Sequence, residues 1–109
     1  SMNTQFRKGV IEMCILALID RHDMYGYEVV QNIASYTEIN EGTVYPILRR
    51  LTQEDYFETY LVESRGGPAR KYYRMTVKGR GYLWSLEEEW KEFSSMVNEI
   101  LRGENDDKT

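Results

Sequence analysis

Thr43, Tyr45, Arg49 and Arg50 lie within one short stretch of the chain, and Arg65, Arg70 and Lys71 follow it closely. Hydroxyls and guanidinium groups at such spacing can donate hydrogen bonds to phosphate oxygens and reach the edges of bases. The same residues cannot make or break bonds. A nucleophile needs a neighbouring base and a metal needs a spaced ligand set, yet the chain has one histidine, His22, and one cysteine, Cys14. The chemistry on offer is therefore nucleic-acid binding, with no catalytic group, no metal and no cofactor expected.

Three elements must position these residues. The spacing predicts a helix after Thr37-Glu38-Ile39, with Asn40 as its N-cap. Val44, Leu48 and Leu51 recur at i, i+4 and i+7 and define its inner face. Gly42, Pro46, Arg49, Arg50 and Gln53 then point outward, with Thr43 and Tyr45 on the flanks. Pro46 falls early enough to leave only one backbone bond unmade. Phe57 to Glu63 and Lys71 to Thr76 are rich in aromatic and β-branched residues and read as strands. Ser64 to Arg70, with Gly66, Gly67 and Pro68, reads as the turn-rich tip between them. A basic helix followed by a basic hairpin is the arrangement of a recognition helix and its wing.

Earlier in the chain, Val10 to Ile19 is apolar on almost every face and predicts a central helix buried from several sides, its stripe extended by Phe6. Cys14 lies inside that run and is expected to be a buried small hydrophobe. His22-Asp23 ends the pattern. Met24-Tyr25-Gly26-Tyr27 is expected to open a second helix, with Tyr25, Val29, Val30, Ile33 and Ala34 on its apolar side. A last long helix is capped by Thr76. Within it Leu86, Trp90, Phe93, Val97 and Ile100 recur with heptad spacing, the pattern of a helix that packs on a partner helix. Glu87, Glu88, Glu92 and Glu99 line its solvated side. So long a stripe on so small a domain points to a second copy of the chain, with Phe6 and Val10 adding to the contact.

The net charge is −4, which by itself disfavours a polyanionic partner. Its distribution reverses that inference. Residues 43–80 carry eight Lys/Arg against four acids, whereas residues 1–42 carry three against six and residues 81–109 three against eight. The positive charge lies over the helix and hairpin. No apolar run approaches the roughly 20 residues of a membrane span, and a lone cysteine suits a reducing cytoplasm. Ser1 ahead of Met2 reads as a cloning remnant.

From Leu16 to Leu83 the chain resembles the PadR family of bacterial winged-helix transcriptional regulators. The resemblance rests on Tyr25-Gly26-Tyr27-Glu28, on Gly42-Thr43-x-Tyr45-Pro46, and on Gly67-Pro68-x-Arg70-Lys71-Tyr72-Tyr73 followed by Thr76 and Gly79. A single C-terminal helix is similar to the short subfamily, in which that helix dimerises the protein. The resemblance implies homodimeric repressors that bind inverted-repeat operators. It implies that Thr43, Tyr45 and their neighbours meet DNA while the wing tip meets the minor groove or backbone. It also implies a possible effector, a planar aromatic compound held between paired C-terminal helices at Trp90, with Phe93 nearby.

The expected architecture is a mainly α (α+β) winged helix-turn-helix with a long C-terminal dimerisation helix. Its DNA-binding domain spans 5–76, its dimerisation helix 77–102 and a disordered tail 103–109. The expected DNA-binding residues are Thr43, Tyr45, Pro46, Arg49, Arg50, Arg65, Gly67, Arg70 and Lys71, and the partners are double-stranded operator DNA and a second copy. The competing reading is a winged-helix module that docks proteins and has lost DNA affinity, although such a face should be more apolar than this one.

Overall fold

The computed structural model describes residues 4–103, and for residues 4–6 the backbone alone. The side chain of Phe6 and the tail expected beyond Gly103 lie outside the described residues. Helix α1 (Thr4–Arg21) is followed by a two-residue strand β1 (Met24–Tyr25), helix α2 (Gly26–Ala34) and helix α3 (Glu41–Gln53). The hairpin β2 (Phe57–Ser64) and β3 (Gly67–Met75) comes next, and helix α4 (Val77–Arg102) closes the chain.

The core forms where the four helices and the hairpin turn their apolar sides inward. Ile11, Ile15, Leu16, Leu18 and Ile19 enter from α1, Val29, Val30 and Ile33 from α2, and Val44, Ile47, Leu48 and Leu51 from α3. Met24, Phe57, Tyr73 and Met75 come from the strands and Leu83 from α4. Two expectations change here. Cys14 is exposed rather than buried, because α1 has a second apolar stripe that the rest of the fold leaves partly open. Val10, Met13, Cys14 and Ala17 follow one another at helical spacing, and the other three are only half-buried. Ala34, at the end of α2, is also exposed.

Met24 and Tyr25 do not belong to a helix. They pair antiparallel with Tyr73 and Tyr72, so the sheet has three strands in the order β1-β3-β2. β3 already pairs with β2 along one edge, and its other edge offers unpaired backbone groups that an extended dipeptide can satisfy. The wing is thereby joined to the α1–α2 corner. The hairpin tip is also shorter than the expected Ser64–Arg70. Ser64 pairs with Gly67, which leaves Arg65-Gly66 as the turn, and Gly66 supplies the positive φ of 73° that such a turn requires. Gly67 to Arg70 belong to β3. Pro68 is tolerated there because it lies beside an irregularity between Val62 and Ser64, where a missing N–H breaks no regular ladder.

Two caps fix where the recognition helix and the last helix point. At the end of α3, Asp55 takes a left-handed conformation with φ 66°. The Tyr56 N–H then reaches Leu51 O at 2.9 Å and the Asp55 N–H reaches Thr52 O at 3.0 Å, which turns the chain into β2. At the start of α4 the Thr76 hydroxyl oxygen accepts from the Gly79 N–H at 2.9 Å. Asn40 does sit at the N-cap of α3, but its side chain makes no capping bond; its carbonyl accepts from Thr43 and Val44 instead. Gly79 lets α4 approach closely, since a Cβ there would stand 2.1 Å from the Tyr56 carbonyl oxygen. The 26 residues of α4 run on past Phe93, and the molecule measures 67 Å along its longest axis.

Candidate nucleic-acid interface

The inner face of α3 is pinned by Val44, Leu48 and Leu51, each fully buried. Its outer ridge of Gly42, Pro46, Arg49, Arg50 and Gln53 is exposed, and Thr43 and Tyr45 are half-buried at its flanks. Beside this ridge runs a groove of about 460 Å³ bounded by α3, the start of α2 and the wing. Arg49, Thr52 and Gln53 line it from α3, Tyr25, Gly26 and Tyr27 from the α2 entrance, and Thr59, Arg70, Lys71 and Tyr73 from the strands.

Aromatic rings set the geometry of the groove. Tyr45 packs so tightly against α2 that a Cβ on Gly26 would stand 2.4 Å from its ring. The glycine between two tyrosines thus exists to let the recognition helix come close. The Arg70 guanidinium lies 4.6 Å over the Tyr25 ring, a cation–π contact that orients it along the groove wall. Burial pushes the Tyr45 hydroxyl above its ordinary pKa, with Glu41, Tyr25 and Tyr27 adding to the effect. Burial does the same for Tyr73, opposed by the nearby Arg49. Both phenols therefore stay protonated near neutral pH and can donate hydrogen bonds to phosphate or base acceptors.

The eight cations of residues 43–80 divide into two groups. Among the described residues no carboxylate pairs with Arg49, Arg65, Arg70 or Lys71; Arg49, Arg70 and Lys71 line the groove, and Arg65 stands at the exposed tip, two residues before Gly67. The other four are engaged. Arg74 Nε meets Asp23 at 3.2 Å and lies over the Tyr60 ring, whose hydroxyl donates to the same carboxylate at 2.5 Å. Arg80 Nε meets Asp20 at 3.1 Å and Lys78 donates to the Glu54 carbonyl. Arg50 points away from the groove and meets Glu12 of α1 at 2.8 Å. It lines a separate depression of about 450 Å³ with Lys8, Gly9, Glu12, Pro46 and Ile47. The structure thus brings Tyr45, Arg49, Arg70 and Lys71 together and sets Arg50 and Pro46 on the far side of the ridge. Tyr25, Tyr27 and Tyr73 join the groove although periodicity alone does not single them out for it. The tyrosine–glycine–tyrosine sequence was the one available signal.

The heptad residues occupy a different surface. Leu86 is half-buried on α1, whereas Trp90, Phe93 and Ile100 are 40 %, 49 % and 70 % exposed. Val97 is half-buried, and Met96 and Leu101 are exposed beside the seam. Val10, Met13, Leu86, Trp90 and Phe93, together with Glu89, line an open apolar hollow of about 320 Å³ between α1 and α4.

A recognition helix packed on a preceding helix, followed by a hairpin that walls one side of its exposed ridge, defines the winged helix-turn-helix class of DNA-binding proteins. The model of the PadR-like family of transcriptional regulators matches residues 15–85, and the chain belongs to that family. It is 39 % identical to a PadR-like transcriptional regulator from Bacillus cereus, with a TM-score of 0.80 and 90 % of this chain and 97 % of that one covered. A PadR-like transcription factor from Bacteroides fragilis is 41 % identical at a TM-score of 0.77, covering 89 % and 95 % of the two chains. An uncharacterised protein of Lysinibacillus sphaericus is 36 % identical over 100 residues, 88 % of this chain and 92 % of its own length. The chain is thus a DNA-binding transcriptional regulator of the PadR type. Among the described residues no helix is long and apolar enough to cross a membrane.

Proposed function

We propose that this regulator works as a homodimeric repressor of its own or a neighbouring promoter, in the cytoplasm. Residues 5–76 hold the operator and 77–102 hold the second copy. The observation that carries the DNA reading is the groove itself: four tyrosines and three cations that have no acid partner among the described residues, set against the exposed ridge of α3. A surface built to dock a protein would be more apolar at its centre, so the protein-docking alternative is the weaker one. Tyr45, Arg49, Arg70 and Lys71 are the proposed contacts in the groove, with Thr43 on the flank of α3, Arg65 and Gly67 at the tip and Pro46 on the exposed ridge. A dimer places two such grooves on one duplex and requires an inverted repeat with half-sites about one helical turn, or a multiple, apart.

The experiment is selection of duplexes from a random library, followed by affinity measurement over a range of salt. The wild type is expected to select a palindrome. Arg49→Ala, Arg70→Ala and Lys71→Ala should each weaken binding and lower the slope of log affinity against log salt by about 0.9 for every phosphate that goes unneutralised. Unchanged affinity in the triple variant would falsify the interface.

A second reading, that the repressor responds to a small molecule, has its own support in the hollow between α1 and α4. Its lining of Met13, Leu86, Trp90 and Phe93 suits a planar aromatic compound, and Glu89, which also lines it, favours a cationic one. Trp90 and Phe93 are the proposed effector contacts. Ligand there would alter operator affinity only by favouring one separation of the two wings over another.

A further inference from the structure

Glu12 draws three helices into one contact. Its Oε2 accepts from Arg50 Nη2 of α3 at 2.8 Å, and its Oε1 accepts from the Tyr82 hydroxyl of α4 at 3.1 Å. The Glu12 side chain is only 12 % exposed, so both oxygens sit where water reaches them poorly and each needs a protein donor. Tyr82 is held in turn: its ring stacks on Tyr56 with centroids 4.2 Å apart and planes 10° from parallel. Tyr56 follows the α3 cap, and Lys78 of α4 places its ammonium 5.2 Å from the centre of that ring while donating to the carbonyl of Glu54. The Tyr82 hydroxyl is pushed up to about 12, by burial first and by the Glu12 carboxylate next, so it remains a donor throughout the physiological range. One carboxylate thus ties the helix that carries the DNA ridge to the helix that carries the apolar seam.

This contact also accounts for the direction of Arg50. It follows Arg49 by one residue, which turns it about 100° around α3 and away from the groove. Glu54, one turn further along, adds a second, longer contact at 3.8 Å. A guanidinium held by two carboxylates is neutralised before DNA arrives.

We propose that Glu12 is a positioning residue through which the placement of α4 sets the recognition helix, and that it does so by keeping Arg50 off the DNA. Opening the Tyr82 bond frees the carboxylate to rotate and lets Arg50 go with it. The released cation then adds a contact to phosphate that carries no sequence information, and α3 loses one of its supports. A shift of α4 in the dimer would in this way lower the preference for operator over other DNA. The inference rests on the DNA-binding reading above.

The test uses the full chain and the duplex that the wild type selects, with a scrambled duplex as reference, across a range of salt. Tyr82→Phe removes only the hydroxyl, on a helix that does not line the DNA groove. It is expected to steepen the salt slope by about 0.9, one phosphate contact, and to reduce the operator-to-scrambled affinity ratio roughly threefold to tenfold. Glu12→Gln should act in the same direction. Arg50→Gln alone should leave the slope at its wild-type value, and in the Arg50→Gln background Tyr82→Phe should no longer change it. A slope shallower by about 0.9 in Arg50→Gln would make Arg50 an ordinary DNA contact and overturn the proposal. An unaltered slope in Tyr82→Phe would overturn it too. Should Glu12→Gln fail to fold, the Tyr82 and Arg50 variants carry the result by themselves. A wild type that selects no duplex removes the DNA reading and this inference with it, an outcome distinct from unaltered slopes in variants of a protein that binds.

Discussion

Around the groove the surface is aromatic and cationic, and several of its side chains are held by other parts of the fold. Tyr45 is wedged against Gly26, Arg70 covers Tyr25, and Tyr60 and Arg74 share Asp23. Between Trp90 and Leu101 one face of α4 is apolar, and the described chain covers little of it beyond the hollow at Trp90. Trp90, Phe93, Met96, Ile100 and Leu101 are all at least 40 % exposed. The contrast separates two ways of being unfinished. A polar groove can stand complete in water and wait for a ligand, because its side chains are hydrated or braced. A contiguous apolar stripe cannot, since apolar surface left in water costs about 25 cal/mol per Å². The groove is ready in one chain; the seam calls for a second.

The largest effect should come from breaking the seam. Val97→Asp places a charge where the proposed dimer would bury it, and disrupting such a contact costs on the order of 2–5 kcal/mol. Sedimentation is expected to show a monomer, with operator affinity reduced because only one groove can engage. A Val97→Asp protein that stays dimeric at micromolar concentration would place the dimer contact elsewhere.

A smaller effect should come from the groove side. Gly26→Ala puts a methyl group into the Tyr45 ring, and overpacking of this kind costs about 1–3 kcal/mol. Thermal unfolding should report that loss, and operator affinity should fall further as Tyr45 is displaced, while the oligomeric state is unchanged. If affinity holds although stability drops, Tyr45 supports the fold without touching DNA.

The smallest effect concerns the hollow where the two regions meet. Titration with a planar cationic dye should quench tryptophan fluorescence with micromolar affinity, about −8 kcal/mol. The response should persist in Trp84→Phe and disappear in Trp90→Ala, because Trp84 is 63 % exposed and does not line the hollow. Quenching that survives in Trp90→Ala would remove that residue from the effector site.

Much of this was legible in the sequence where periodicity alone decides the outcome. Val44, Leu48 and Leu51 turn inward and Arg49 and Gln53 outward because α3 is regular, and Thr76 caps α4 because a hydroxyl there meets the Gly79 N–H. What escaped depends on residues far apart in the chain. Met24 and Tyr25 look like the first turn of a helix, and only the open edge of β3, at Tyr72 and Tyr73, makes them a strand. Cys14 looks buried within an apolar run, but the run is longer than the core that α1 has to cover. Arg50 looks equivalent to Arg49, and only Glu12, thirty-eight residues away, withdraws it from the groove. Pro68 and Gly67 read as turn residues, while Gly66 is sufficient to make the turn.

The direction of α4 has an electrical consequence. Its residues from 81 to 103 carry five carboxylates against two cations, and they run out along a molecule 67 Å long, away from the basic groove. The protomer is therefore a macroscopic dipole. A polyanion drifting toward the acidic end exerts a torque that turns the molecule before any atom touches, favouring arrivals with the groove in front. At low salt that orienting field extends about 30 Å into solvent, and near 0.15 M it shrinks to about 8 Å. Association with DNA should accordingly slow with salt because molecules arrive unoriented, in addition to the weakening of the phosphate contacts themselves.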